Sequence, residues 1–339
     1  MLKRKGDVIM LGMVGSVITR DTKKEEWEEL RGRIKSRILE NFGKSAVELA
    51  SAKNKYEVLD RYVAHGLQHV KIRYEVLCGE WSFGVLVLPE NFSEDKRYKA
   101  VLTVHGTNGV KGKYGVCDPE NQPKRAYAIE LARRGFVTLS PDQYGFGEAM
   151  EDGEYRKGFE SFYDRYPEWS LSSRRVLGHI RALDVLDQLD FVEHTGYGVI
   201  GNSLGGQASF YITAFDERIK ASVISTGISP NVTNVYRDLT RTQPLEPGVK
   251  EIMKKRGRAP WELNEMLALC APRAVLCLEP FDDPYNPYTS VTIECIKSAW
   301  EVYKLMEAPE KLTMYIHGDG HDTVDTVRDL SYDWLERFL

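Results

Sequence analysis

Residues 196–210 read Gly-Tyr-Gly-Val-Ile-Gly-Asn-Ser-Leu-Gly-Gly-Gln-Ala-Ser-Phe. An apolar run, Tyr197 to Ile200, enters a tight turn around Ser203, and a helix is predicted from Gln207. A strand that turns directly into a helix makes two demands. The residue at the apex takes a strained backbone that lifts its side chain beyond the end of the sheet. The residues two before and two after it must be very small, because strand and helix nearly touch there. Gly201 and Gly205 stand at those positions, so the stretch reads as a nucleophile elbow with Ser203 at its apex.

The rest of the chain suits that geometry. Segments 100–104, 136–139, 221–225, 274–278 and 312–316 are short apolar runs predicted to be strands. Segments 122–134, 172–189, 289–306 and 325–339 carry helical spacing. Strands alternating with helices require parallel pairing with both sheet faces covered. An antiparallel pair is predicted before them, at 70–76 and 83–88, turning at Gly79 and closed by Pro89. Earlier still, Trp27, Leu30, Ile34, Ile38 and Leu39 fall at helical spacing over 23–41, with Gly43 as the stop.

The expected architecture is therefore an α/β fold. It has a mostly parallel eight-stranded sheet with helices on both faces. Residues 1–69 form an N-terminal helical extension packed on a catalytic domain of 70–339. Two segments break the rhythm, near 144–170 and 228–261, and both follow the C-terminal ends of strands, where ligands bind in open α/β sheets. The first is rich in aromatics, so Tyr144, Phe159, Phe162 and Trp169 are expected to wall a substrate pocket.

Composition narrows the class. The 339 residues are 42% hydrophobic and 28% charged, which suits a large core. The net charge is −4 with acids and bases mixed, so nucleic acid is not an expected partner. Lys3, Arg4 and Lys5 precede an apolar run at 8–18, a profile like that of a signal peptide. Asp7, Gly12 and Gly15 interrupt it, no Ala-x-Ala site follows, and the run is too short to span a bilayer. A cytoplasmic protein without a membrane partner is expected. Cys78, Cys117, Cys270, Cys277 and Cys295 are odd in number and lack CxxC spacing, as for reduced thiols. His65 and His69 are four apart, as are His317 and His321, but glycine interrupts each pair and neither carries an HExxH glutamate. No metal is expected. No Gly-x-Gly-x-x-Gly opens the first strand-to-helix turn, so no nucleotide cofactor is expected either.

A serine hydroxyl becomes nucleophilic when a base takes its proton, and a third group must orient that base. On an elbow the chain order is serine, acid, histidine. His317 and His321 alone follow after a further strand-helix-strand unit. His317 continues the strand at 312–316, whereas His321 sits in a loop before the last helix, so His321 is the candidate base. The acid is expected after the strand at 274–278, where Asp283 is favoured and Asp282 and Glu279 are alternatives. Two backbone N–H groups must meet the developing oxyanion. One belongs to Leu204, after the serine; the other comes from the loop at 105–109, with Thr107 first and Gly106 second. His105 is expected to brace that loop.

With these residues in place the chain resembles the α/β-hydrolase superfamily, and within it the dienelactone hydrolase and acetyl xylan esterase-like branch. The resemblance spans about residues 70–339. It rests on Val104-His105-Gly106-Thr107, on Pro141-Asp142-Gln143-Tyr144-Gly145-Phe146-Gly147, on the elbow, on Asp283-Pro284, and on His321 before a terminal amphipathic helix. Two departures stand out. Dienelactone hydrolases carry cysteine where Ser203 stands, and the cephalosporin and xylan deacetylases usually have Ser-Gln-Gly-Gly and a His-Glu pair. Here Ser203-Leu204-Gly205-Gly206 and His321-Asp322 replace them. The resemblance implies hydrolysis of a small-molecule carboxylic ester, with an acetyl-like acyl group and carbohydrate esters among the candidate substrates. A prolyl oligopeptidase-like peptidase, a non-catalytic binding protein and a non-hydrolytic triad enzyme are the rival expectations.

Overall fold

The apolar runs pair into a single sheet, seen in a computed structural model that describes residues 14–42, 54–150, 157–234, 252, 255–256 and 259–339. Gly43, the first part of the 8–18 run and most of the 228–261 segment lie outside the described residues. The strands are β1 (Tyr56–Ala64), β2 (Leu67–Leu77), β3 (Glu80–Val87), β4 (Tyr98–Val104), β5 (Val137–Pro141), β6 (Val192–Asn202), β7 (Ile219–Ser225), β8 (Ala274–Pro280) and β9 (Leu312–His317). Their spatial order is β1-β2-β3-β5-β4-β6-β7-β8-β9. The first three are antiparallel to one another and join β5 antiparallel. From β5 to β9 every pairing is parallel.

The described sheet thus has nine strands rather than the expected eight. The added strand is β1, inside the segment read as a helical extension. It is an edge strand, and Val58, Leu59 and Val63 on it are exposed. No alternating apolar face announces it; the ladder to β2, from Tyr56 opposite Tyr74 to Ala64 opposite Leu67, defines it.

Helices α1 (Lys24–Phe42), α2 (Tyr114–Cys117), α3 (Tyr127–Arg133), α4 (Lys157–Arg165), α5 (Leu171–Leu186), α6 (Leu204–Phe215), α7 (Asn231–Asn234), α8 (Leu263–Leu269), α9 (Thr289–Leu305) and α10 (Asp325–Phe338) complete the described elements. Side chains of α1, α5, α6, α8 and α9 share one core with the sheet. Those of α3 and α10 share the core on the other side. On α1, Trp27, Ile34, Ile38 and Phe42 fall on one face and are buried. Phe42 meets the rings of Tyr211 and Phe215 edge-on at 5.1 and 5.4 Å. Each such side chain stabilises the docking by about 1.5–3 kcal/mol. Helix α5 starts at Ser170, whose hydroxyl caps it by accepting from the Ser173 N–H at 3.0 Å.

The parallel strands all end on the same side, at Val104, Pro141, Asn202, Ser225, Pro280 and His317. The loops that follow them carry the site. All five cysteines are free thiols, four of them buried. Among the described residues no helix is long and apolar enough to cross a membrane.

Candidate active site

Strand β6 ends at Asn202, helix α6 begins at Leu204, and Ser203 between them has φ 58° and ψ −122°. A non-glycine residue with that backbone costs on the order of 1–3 kcal/mol, which the surroundings must supply. They do so through the Ser203 N–H, which donates to the Ser225 carbonyl at 2.9 Å and contacts Thr226 Oγ1 at 3.2 Å. The glycines act as the sequence reading requires. A β-carbon on Gly201 would strike the Gly205 carbonyl group, and one on Gly205 would strike the Val104 carbonyl oxygen.

The loop after β4 is held from beneath. His105 is buried, its Nδ1 lies 2.7 Å from the Gly106 carbonyl, and its Nε2 accepts from the Gln143 N–H at 3.0 Å. These partners assign the proton to Nδ1. Burial pushes the imidazole down to about 3, so it stays neutral and serves as a brace. The Gln143 side-chain amide returns to the His105 carbonyl at 2.5 Å. Farther along, Lys113 and Asp142 are both fully buried and meet at 2.7 Å, while the Lys113 N–H reaches the other Asp142 oxygen at 2.8 Å. Glu148 closes the group 2.6 Å from the same ammonium. Burial alone would lower the Lys113 ammonium, but Asp142 and Glu148 outweigh it and hold it above its ordinary value. The loop carrying Thr107 and the loop after β5 are therefore one buried hydrogen-bonded unit.

The other half comes from the loops after β8 and β9. Asp283 is 2% exposed, and its Oδ2 lies 2.9 Å from His321 Nδ1. Its Oδ1 accepts from the Tyr285 N–H at 2.7 Å. Burial pushes the Asp283 carboxyl up, but the hydrogen bonds from His321 and from backbone N–H groups win, and it sits below its ordinary value. Asp282 is exposed and accepts from the Gly320 N–H at 3.0 Å, pinning the loop that presents His321. Glu279 is fully buried at the end of β8. Burial and the nearby Asp283 charge raise it well above its ordinary value, which disfavours its charged form and makes it a poor partner for an imidazolium. His317 ends β9, buried, with Asp319 as its nearest acid at 3.4 Å.

Ser203, Leu204, Thr107, Asp283 and His321 all line one cavity of about 580 Å³. That volume is ordinary for a small-molecule site. Leu204 opens α6, where its N–H has no acceptor within the helix. Arg125, Gln207, Thr226, Gly227, Ile228, Ser229, Tyr285 and Asn286 complete the described lining. The Tyr285 ring stands edge-on to His321 at 4.7 Å. Apart from Ile228 and Ser229, which lie in the 228–261 segment, these residues were not anticipated. Tyr285 and Asn286 could have been found as near neighbours of Asp283, but Arg125 carries no local signal.

The aromatic segment is a correction. Phe162 is fully buried among Tyr144, Tyr163 and Tyr166, and Trp169 is buried in the same core. Tyr144 lines a separate cavity of about 220 Å³ with Trp81 and Arg174, and its ring lies under the Arg174 guanidinium at 4.8 Å. The side chain of Phe159 lies outside the described residues. The described aromatics Phe162 and Trp169 pack into the core rather than line the cavity over Ser203. Of the described residues of the second segment, Ile228 and Ser229 line that cavity, whereas Trp261 is buried in the core. Among the described residues no group of three or more His, Cys, Asp or Glu is placed to hold a metal.

Comparison with known proteins adds to this geometry. The sequence profile of the family described as glucuronyl esterase, fungi, matches residues 132–307. An uncharacterised protein, YcjY of Escherichia coli, is 30% identical over 154 residues, 45% of this chain and 42% of the relative. The putative hydrolase YtaP of Bacillus subtilis is 24% identical over 244 residues, 71% of this chain and 78% of the relative. Among solved structures, a glucuronoyl esterase from Solibacter usitatus superposes with a TM-score of 0.73 at 16% identity, covering 95% of this chain and 96% of that one.

Proposed function

The chain belongs to the glucuronyl esterase family within the α/β-hydrolases, which makes it a carboxylic ester hydrolase, and we propose that it cleaves carbohydrate esters by way of an acyl-enzyme on Ser203. The observation that carries the proposal is the 2.9 Å contact of His321 Nδ1 with buried Asp283, in the cavity that also holds Ser203. Asp283 fixes the tautomer and leaves His321 Nε2 free to take the serine proton. Ser203 Oγ attacks the ester carbonyl, and the N–H groups of Leu204 and Thr107 receive the negative charge. His321 then gives its proton to the leaving alcohol oxygen. Water repeats the steps: His321 takes its proton, hydroxide adds to the acyl carbonyl, and Ser203 leaves with the proton back on Oγ.

The acyl group in this reading is short. Apolar surface of Leu204, Ile228 and Tyr285 lines the described cavity that holds the serine. The test is a set of esters differing in acyl length, from acetyl to octanoyl, together with uronate methyl esters and a peptide amide. Short acyl and uronoyl esters should be hydrolysed and the amide left intact. A preference for octanoyl esters or for the amide contradicts the proposal.

A further inference from the structure

Arg125 ends a short helical turn, Pro123–Arg125, and its side chain lines the cavity that holds Ser203. It is the one cationic side chain in the described lining apart from His321 itself. One guanidinium nitrogen, Nη2, donates to the His321 carbonyl at 3.1 Å. The other, Nη1, has no hydrogen-bond partner among the described residues. A point one β-carbon out from Gly106 is 3.7 Å from Ser203 Cβ and 3.9 Å from Arg125 Nη1. The free nitrogen therefore stands beside the oxyanion loop, on the side where the nucleophile stands.

The nearest acid is a long ion-pair partner of Nη2 that Arg125 shares with Lys124. Asp322 lies 3.9 Å from Nη2, beyond hydrogen-bond reach, and its oxygens are taken by Lys124 at 2.7 Å and by the Thr323 N–H at 2.9 Å. Asp283 is also occupied, by His321 and Tyr285. The cavity thus presents a planar cation held at one end by the His321 carbonyl and a long ion pair, and open at the other. A guanidinium in that state is matched to a carboxylate.

From this geometry we infer that Arg125 reads a free carboxylate on the substrate, so that the preferred ester carries an anionic group close to the scissile bond. The inference rests on the ester-hydrolase reading and deepens it. The carboxylate can sit on the acid half or on the alcohol half of the ester, and two matched pairs separate these. Monomethyl succinate against methyl butanoate tests the acid half. O-acetylglycolate against propyl acetate tests the alcohol half.

The readout is the ratio of kcat/KM within each pair, which cancels any general loss caused by untethering the His321 loop. The protein should favour the anionic member of one pair, and Arg125→Gln should cut that ratio by about ten- to a hundredfold. Arg125→Lys should keep part of it, and salt should erode it. The same ratio in wild-type and Arg125→Gln protein overturns the inference. Calorimetric binding of the four esters to Ser203→Ala protein reads the contact without turnover. If wild-type protein cleaves none of the four while the Ser203→Ala protein binds an anionic member tightly and loses this with Arg125→Gln, the hydrolase reading falls and Arg125 stands. If neutral esters turn over without preference, Arg125 falls and the hydrolase reading stands.

Discussion

The two halves of the site are built in opposite ways. The proposed nucleophile half, Ser203 with the loop after β4, rests on buried parts: a strained serine, close-packed glycines, neutral His105 and the Lys113–Asp142 pair. The proposed acid–base half hangs from two loops, after β8 and β9. Its ties are part-buried or exposed: His321 to Asp283, Asp283 to Tyr285 N–H, exposed Asp282 to Gly320 N–H, and, from the turn at 123–125, Arg125 to the His321 carbonyl and Lys124 to Asp322. A nucleophile must be presented at one point against strain, which takes a rigid frame. A base must move a proton and can tolerate a lighter mount, provided that one carboxylate is locked behind it.

This contrast can be broken by substitution. The largest effect is expected at the single locked carboxylate. Asp283→Asn should lower kcat about ten-thousandfold, as when other triads lose the orienting acid, with the fold intact. Steady-state kinetics on an activated acetate ester beside circular dichroism would show it; a loss of tenfold or less would move the acid elsewhere. The nucleophile half should fail differently, through stability. Lys113→Met leaves Asp142 buried without its main partner, at a cost of about 3–5 kcal/mol in denaturant unfolding. A neutral result would mean that the buried pair does not hold the loop.

Phe162→Ala should likewise cost about 3–5 kcal/mol as a core cavity. If instead its stability is unchanged and its preference for acyl length shifts, Phe162 belongs to the substrate pocket after all. Smaller still is Asp282→Asn, which keeps an acceptor for the Gly320 N–H. It should change kcat by a few-fold at most, and a loss matching that of Asp283→Asn would erase the distinction between the neighbouring carboxylates. The last effect is in pH. The folded Asp283 carboxyl is held below its ordinary value, so it stabilises the fold above about pH 4 and this contribution is lost as pH falls through the folded value. Wild-type protein should therefore lose stability more steeply on acidification than Asp283→Asn. Parallel curves would show that the carboxylate is not stabilised in the fold.

Sequence legibility divides along the same line. The elbow is legible because sterics are local: Gly201 and Gly205 are required by contacts within a few residues and with β4. The parallel strands are legible because both faces are buried, which leaves dense apolar runs such as Ala274–Pro280. Strand β1 is not, because an exposed edge has no face to pattern. Candidate partners His321 and Asp283 follow from strand order. Arg125 does not, because it comes from a turn far along the chain that folding brings beside the serine. The aromatics at 144–169 mislead for a physical reason. Aromatic content measures what a segment can bury, and here the core took Phe162 and Trp169.

Reaction with a fluorophosphonate probe, read by intact-protein mass and then by peptide mapping, tests the central assignment most directly. Only a serine whose proton is taken by a positioned base attacks such a reagent quickly. One adduct per chain on Ser203, slowed by Asp283→Asn and absent from Ser203→Ala, is the predicted result. An adduct on another serine, or a wild-type protein that stays unlabelled under conditions that label a known serine esterase, would contradict the account.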